Sequence, residues 1–182
     1  MALDARPLRG PRDARRSQLL VPIEAALGGV VALENGRFYV LLGDGKMEAP
    51  LVAEGLRKLA VLAHLVVNGS LSENAFLFWD EPEANLNPKL ARLVSEMILA
   101  LGDWGVQVFL ASHDYALASE LSLASERRLS DLMLPAAVFF GLARGDSGGV
   151  SVEQSSRLLG LSQNPILEAL SSLHDRELQA DG

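Results

Sequence analysis

The chain of 182 residues contains no cysteine. Disulfides, thiolate metal sites and thiol chemistry are therefore excluded. A reducing cytosol fits that absence, and a cytoplasmic location is the expectation. Aromatic residues contribute only 5% of the chain against 49% apolar residues in all, so the core should be aliphatic. Long apolar runs are also missing. The longest charge-free one, LMLPAAVFFGLA over residues 132–143, is interrupted by Pro135. It falls short of the about 20 residues a membrane span needs. The N-terminus has no apolar signal-peptide core. Positive charge is scarce, with a net charge of −7. That balance argues against a free-standing nucleic-acid binder, so no direct nucleic-acid binding is expected of this chain alone.

The basic residues that are present are concentrated at one end. Arg6, Arg9, Arg12, Arg15 and Arg16 are five of sixteen. Residues 1–20 are expected to form a basic, disordered tail, with a docking arm for an acidic partner as the less favoured reading. The length suggests one domain, with room for a small appendage. Residues 21–182 are assigned to it.

Periodicity supplies the elements. VVALENGRFYVLLGDGKMEAPL, residues 30–51, reads as two short strands joined at Asn35-Gly36, with a second tight turn at Asp44-Gly45. Residues 52–68 carry apolar residues at helical spacing and end before Gly69. AFLFWD reads as a buried strand. Asn87 and Pro88 have the chemistry of a helix start, at the cap and first position respectively. That helix should reach about residue 101. VQVFLAS, residues 106–112, is the next strand. Strand, helix, strand with short links forms a βαβ unit, so the two strands should be parallel neighbours. A further helix begins near Asp114, followed by a strand in AVFFGLAR and an amphipathic terminal helix in NPILEALSSLHDRELQ. The expected class is α/β, with a largely parallel sheet flanked by helices.

The stretch FLFWDEPEANLNP, residues 76–88, places Asp80, Glu81 and Glu83 at the end of an apolar strand. Ligands of parallel sheets sit beyond the carboxyl ends of the strands. Asp80 and His113 each follow such an end. A carboxylate there is poorly solvated and wants a cation, and Asp80 could hold Mg²⁺ directly or through its waters. Glu81 points elsewhere, because successive side chains diverge, and could deprotonate a water that attacks a phosphate. His113 could hydrogen-bond the terminal phosphate. The blander alternatives are a solvated acidic turn and a helix-start histidine. His64 among leucines reads as a packed or half-exposed imidazole, His174 as solvated, Glu83 as a surface or contact residue, Trp79 as core and Trp104 as a loop anchor. Arg57 and Lys58 fit a phosphate contact and a solvated face equally well. A two-metal nuclease is disfavoured, because its acids usually come from several elements.

These residues carry a resemblance. Four apolar residues followed by Asp80-Glu81-Pro82 resemble the Walker B segment of ABC-type ATPases. NLN, residues 85–87, falls where that family has its D-loop. His113 after an apolar strand resembles its switch histidine, and AEGLRKLAVL, residues 53–62, occupies the place of the signature loop and its helix. The wording is most similar to stand-alone AAA/ABC-like ATPases related to DNA-repair ATPases, over residues 28–122 and plausibly on to 179. The resemblance implies a partial P-loop NTPase lobe with ATP and Mg²⁺ as ligands. Asp80 becomes the metal aspartate, and Glu81 and His113 the catalytic pair. Gly55, Asn85 and Asn87 become cofactor-binding residues that face a second subunit across a nucleotide sandwich.

The sequence also departs from that pattern. G-x-x-x-x-G-K-[ST], the loop that cradles phosphates, occurs nowhere in it. No Q-loop is recognisable. Ala53 and Glu54 stand where the signature serine would be, and Asn87 replaces the D-loop aspartate. The chain is therefore expected to act as the C-terminal half of an ATPase, with Walker B, D-loop, signature-like and switch-histidine elements. A fragment, a split subunit and a degenerate relative are all compatible with this. Hydrolysis is expected only where a Walker A-bearing half or a homologous subunit completes the site, and a homodimer is one such arrangement. The competing expectation is a non-catalytic lobe retained as an interaction or regulatory module.

Overall fold

The computed structural model describes residues 14–34, 37–43, 45–48, 54–132, 136–144 and 148–180. The chain divides into two compact units, Met1–Ala111 and Ser112–Gly182.

The first unit begins with helix α1, Ala14–Leu27. The helix takes in residues 14–20, which the sequence assigns to the tail. The reason is an apolar stripe: Leu19, Leu20, Ile23 and Leu27 are all buried, and burial of such a stripe outweighs a basic flank. A meander follows, made of β1 (Val30–Glu34), β2 (Arg37–Leu42) and β3 (Gly45–Glu48), paired antiparallel in that order. Glu34 pairs with Arg37, the register of a two-residue connection. Asn35, Gly36 and Asp44 themselves lie outside the described residues. The meander holds three strands where the sequence suggests two, because Gly45–Glu48 pairs with β2.

Helix α2 spans Glu54–Val67. Leu59, Leu62, Ala63 and Val66 are its buried stripe. Gly69, at φ +81°, follows its end, as its position in the sequence suggests. Strand β4 (Phe76–Asp80) and strand β5 (Gln107–Ala111) then pair in parallel, from Phe76 opposite Gln107 to Asp80 opposite Ala111.

Between them, Asn87 accepts a hydrogen bond from the Lys89 N–H at 3.0 Å and caps a 3₁₀ turn, Pro88–Leu90. Helix α3, Ala91–Asp103, begins after that turn. The predicted cap is thus real but belongs to the 3₁₀ turn. At the other end the chain reverses through a Schellman motif. Val106 N–H donates to the Leu101 carbonyl at 3.0 Å and Gly105 N–H to that of Gly102 at 2.9 Å, with Gly105 at φ +89°. Leu101 and Val106 are both buried beside this turn. α3 thereby packs against β5.

One expectation, a largely parallel sheet, is met in part, and another is corrected. Parallel pairing is confined, among the described residues, to β4–β5; the other three strand pairs are antiparallel. The strand FLFWD is also not buried on both faces. Phe76 and Phe78 are 63% and 75% exposed, and Phe109 across from Phe78 is 44% exposed. Strand side chains alternate, and only the face carrying Leu77, Trp79, Val108 and Leu110 is half-buried.

The second unit holds helix α4 (Tyr115–Leu132), strands β6 (Phe139–Arg144) and β7 (Val150–Ser155), a 3₁₀ turn (Leu158–Gly160) and helix α5 (Pro165–Ala180). β6 and β7 form an antiparallel pair with Phe140, Leu142, Val150 and Val152 exposed. α5 has no buried residue. No helix among the described residues is long and apolar enough to cross a membrane.

Candidate functional site

The acidic segment begins where β4 ends. Asp80, exposed, shares the outward face of that strand with Phe76 and Phe78. The ladder then continues one residue further, with Glu81 N–H donating to the Ala111 carbonyl at 2.9 Å. Glu81 nonetheless leaves the strand conformation, at φ +44°. Its position ahead of Pro82, which is fully buried, disfavours the right-handed helical region. Its carbonyl accepts from the Ala84 N–H at 3.1 Å and from the Lys58 ammonium at 2.7 Å. Both backbone polar groups of Glu81 are thus held by three different parts of the unit. A left-handed backbone at a non-glycine residue costs about 1–3 kcal/mol and persists only when its surroundings over-determine it. Asp80 follows the strand pleat, whereas the backbone at Glu81 departs from it.

The first turn of α2 meets the same segment. Gly55 is buried against the Asn85 backbone. A Cβ added at Gly55 would overlap the Asn85 carbonyl oxygen and lie 2.8 Å from the Leu86 side chain. Asn85 is itself left-handed, at φ +65°, and exposed. The structure therefore brings Gly55, Asn85, Lys58, Asp80 and Glu81 into one neighbourhood. Alongside it, a groove of about 330 Å³ runs between Arg57–Leu65 of α2 and Leu77–Trp79 of β4. Trp79, read from the sequence as core, is half-buried in that wall.

His113 belongs to the second unit, two residues after β5. It is exposed, between two capping side chains. Ser112 Oγ accepts from Asp114 N–H at 3.1 Å, and Asp114 Oδ1 accepts from Leu117 N–H at 2.6 Å at the start of α4. His64 is half-buried, with Nε2 2.9 Å from Asn68 Nδ2; burial holds its pKa below the ordinary 6.5. It is the half-exposed imidazole that the sequence reading allowed. His174 is exposed and lies 4.0 Å from Glu177.

Lys58 is the residue whose role sequence reasoning left undecided. Its bond to Glu81 spans 23 positions, and no local pattern encodes such a contact. The left-handed backbone of Glu81 was equally invisible, since neither glycine nor asparagine marks it.

The residues around Asp80 can be tested against magnesium. No group of three or more potential ligands occurs among the described residues. An all-protein cage is therefore not what this end of the sheet offers. A single exposed carboxylate does fit Mg²⁺, which keeps most of its waters and takes one or two carboxylates together with substrate phosphates.

Comparison with known proteins identifies the family. Residues 2–119 match the family model described as "AAA domain, putative AbiEii toxin, Type IV TA system". The chain belongs to this AAA family. It is also 26% identical, over 180 residues, to the fluoroquinolones export ATP-binding protein of Mycobacterium tuberculosis, in two strains. That match takes in 81% of this chain and 60% of the relative, so the chain spans under two thirds of those proteins' length. Among solved structures, it is similar to a chain from work on the ATP-driven dimerization and DNA-stimulated activation of SMC ATPases. The TM-score is 0.57 at 15% identity, over 88% of this chain and 91% of that one. It is also similar to an Smc head domain from Pyrococcus furiosus, solved with an extended coiled coil and bound to the C-terminal domain of ScpA. There the TM-score is 0.53 at 15% identity, over 90% of this chain and 38% of that one. The α/β fold is thus one shared with SMC heads, and by its family the chain is an AAA, P-loop ATPase-like domain.

Proposed function

We propose that this AAA-family chain supplies the acidic half of a composite ATP-hydrolysing site, completed by a Walker A-bearing half or a homologous ATPase subunit. The observation that carries the proposal is the left-handed backbone of Glu81, next to Asp80 at the carboxyl end of a parallel strand and clamped by Ala111, Ala84 and Lys58. Two adjacent carboxylates, of which only the first follows the strand backbone, suit two tasks. Asp80 holds Mg²⁺, which when bound neutralises charge on the phosphate oxygens. Glu81 orients the attacking water and takes its proton. His113 hydrogen-bonds the terminal phosphate. Gly55, at the start of α2, and Asn85 face the nucleotide of a second subunit. Asn87 belongs with them by its place in the NLN segment, although its side-chain oxygen already caps the Pro88–Leu90 turn.

The test is Glu81→Gln in a complex that hydrolyses ATP. Loss of a general base lowers the turnover rate by about 10²–10⁴, with nucleotide binding retained. An unchanged rate would remove Glu81 from the role.

A second reading has its own support. Asn87 is engaged in a structural cap, and G-x-x-x-x-G-K-[ST] does not occur in the 182 residues. On that reading the chain is a non-catalytic interaction or regulatory module. ATPase activity that requires this chain and depends on Glu81 would eliminate it.

A further inference from the structure

Three non-glycine residues have a left-handed backbone among the described residues, and two of them, Glu81 and Asn85, belong to one turn. The start of α2 touches both. Gly55 closes on the Asn85 backbone, where a Cβ would overlap the carbonyl oxygen. Lys58 donates from its ammonium to the Glu81 carbonyl at 2.7 Å. Residues three apart share a side of a helix. One side of α2 therefore pins the turn at each of its left-handed residues.

The two contacts do different things. Gly55 sets how closely the helix approaches. Lys58 supplies a directed bond, and an ammonium makes a stronger hydrogen bond than a neutral donor does. The other bonds to the Glu81 backbone come from the Ala84 N–H in the turn and the Ala111 carbonyl at the end of β5. The Lys58 bond is the one made by a side chain, and so the one a substitution can remove. The lysine stem lies in the groove wall with Val61, Leu62 and Trp79, so apolar packing sets where its ammonium arrives.

We propose that Lys58 is a positioning residue for Glu81. Its ammonium fixes the backbone that carries the Glu81 carboxylate, and it does so from the same stretch of α2 that carries Gly55. This rests on the composite-site reading. It assigns Lys58 to the water-activating glutamate rather than to a phosphate. It also makes the geometry of that glutamate answer to any movement of the α2 start. The two roles differ kinetically. A lysine on phosphate sets nucleotide affinity, whereas one that acts through Glu81 sets turnover at unchanged KM.

The first test uses the full chain alone. Lys58→Met keeps an apolar stem and removes the donor, and Lys58→Arg keeps a charged donor. Amide exchange at Glu81 and Ala84, followed by NMR, should quicken about tenfold in Lys58→Met and stay near the wild-type rate in Lys58→Arg. Amides in the middle of α3 should keep their rates, which separates local release from general destabilisation. No acceleration, or equal acceleration throughout the first unit, overturns the proposal. The second test uses a complex that hydrolyses ATP. Lys58→Met should lower kcat about tenfold with KM for MgATP unchanged, and Lys58→Arg should retain most of the rate. In a Glu81→Gln background, Lys58→Met should have no further effect, because residues that act through one another are not additive. A raised KM at constant kcat would make Lys58 a phosphate contact and overturn the proposal, as would an undiminished loss on top of Glu81→Gln. If Glu81→Gln lowers the rate and Lys58→Met does not, the role of Lys58 alone falls. If Glu81→Gln leaves the rate unchanged, the composite-site reading falls and takes that role with it.

Discussion

β4–β5 and β6–β7 are both two-stranded pairs with an apolar face in solvent, yet they are held by different means. In β4–β5 the paired residues are 31 positions apart at each end of the register, Phe76 opposite Gln107 and Asp80 opposite Ala111, and α3 lies between the strands in sequence. Nothing local brings them together. They depend on the buried residues of α3 and on the Schellman turn that feeds β5. In β6–β7 the strands are consecutive, and polar bonds fasten the pair to the neighbouring loop and to α4. The Glu153 carboxylate accepts from Ser162 N–H at 2.8 Å, Ser162 Oγ at 2.9 Å and Gln163 N–H at 3.1 Å. Leu158 N–H donates to Ser122 Oγ of α4 at 3.1 Å. The parallel pair is thus a product of hydrophobic burial, and the antiparallel pair of local connection and directed hydrogen bonds.

That contrast can be broken by experiment. The largest effect on stability is expected from Leu101→Ala, which removes a fully buried side chain where α3 turns into β5. The loss should be about 2–5 kcal/mol. Trp79 and Trp104, the only tryptophans, both lie in the first unit, so denaturant unfolding followed by tryptophan fluorescence reports it there. An unchanged midpoint would mean that β4–β5 does not depend on α3. Gly55→Ala comes next. Its methyl group has no room against Asn85 and Leu86, and overpacking should cost about 1–3 kcal/mol. The same measurement should show it, along with altered protease sensitivity near residues 81–87.

The smallest effect sharpens the other side of the comparison. Backbone N–H groups of Ser162 and Gln163, with the Ser162 hydroxyl, hold the Glu153 carboxyl below its ordinary value of 4.5. A depressed carboxyl stabilises the fold above its unfolded pKa, and that contribution fades as pH falls through the folded value. Amide exchange at Ser162 and Gln163 should therefore accelerate below about pH 4.5 in the wild type. Glu153→Gln should exchange faster already at neutral pH, with little further acid dependence. Tryptophan fluorescence should register neither change.

Much of the scaffold was legible in the residues because its signals act over a few positions. Asn87-Pro88 starts a helical turn, Gly69 follows the end of α2, and Asp114 caps α4. The parallel pairing of FLFWD with QVFLA followed from the short strand–helix–strand spacing. The helix at residues 14–20 was missed because five arginines outweighed an apolar stripe whose burial depends on partners elsewhere in the chain. In the candidate site, the placement of Asp80 and Glu81 at a strand end was legible. The way the backbone leaves the strand at Glu81 was not, because the Lys58 bond that holds it spans 23 positions of sequence and no glycine or asparagine marks the left-handed residue.

The sequence by itself determined where the chain turns, which segments are helical or extended, and that an acidic cluster terminates an apolar strand. These follow from backbone sterics, capping chemistry and periodicity, which each segment carries within itself. Only the tertiary structure decided that one side of that strand stays in water, that Gly55 meets Asn85, and that Lys58 holds Glu81. An apolar run reads the same whether or not something covers it. Burial is set by neighbours distant in the chain, and no short stretch of residues records who those neighbours are.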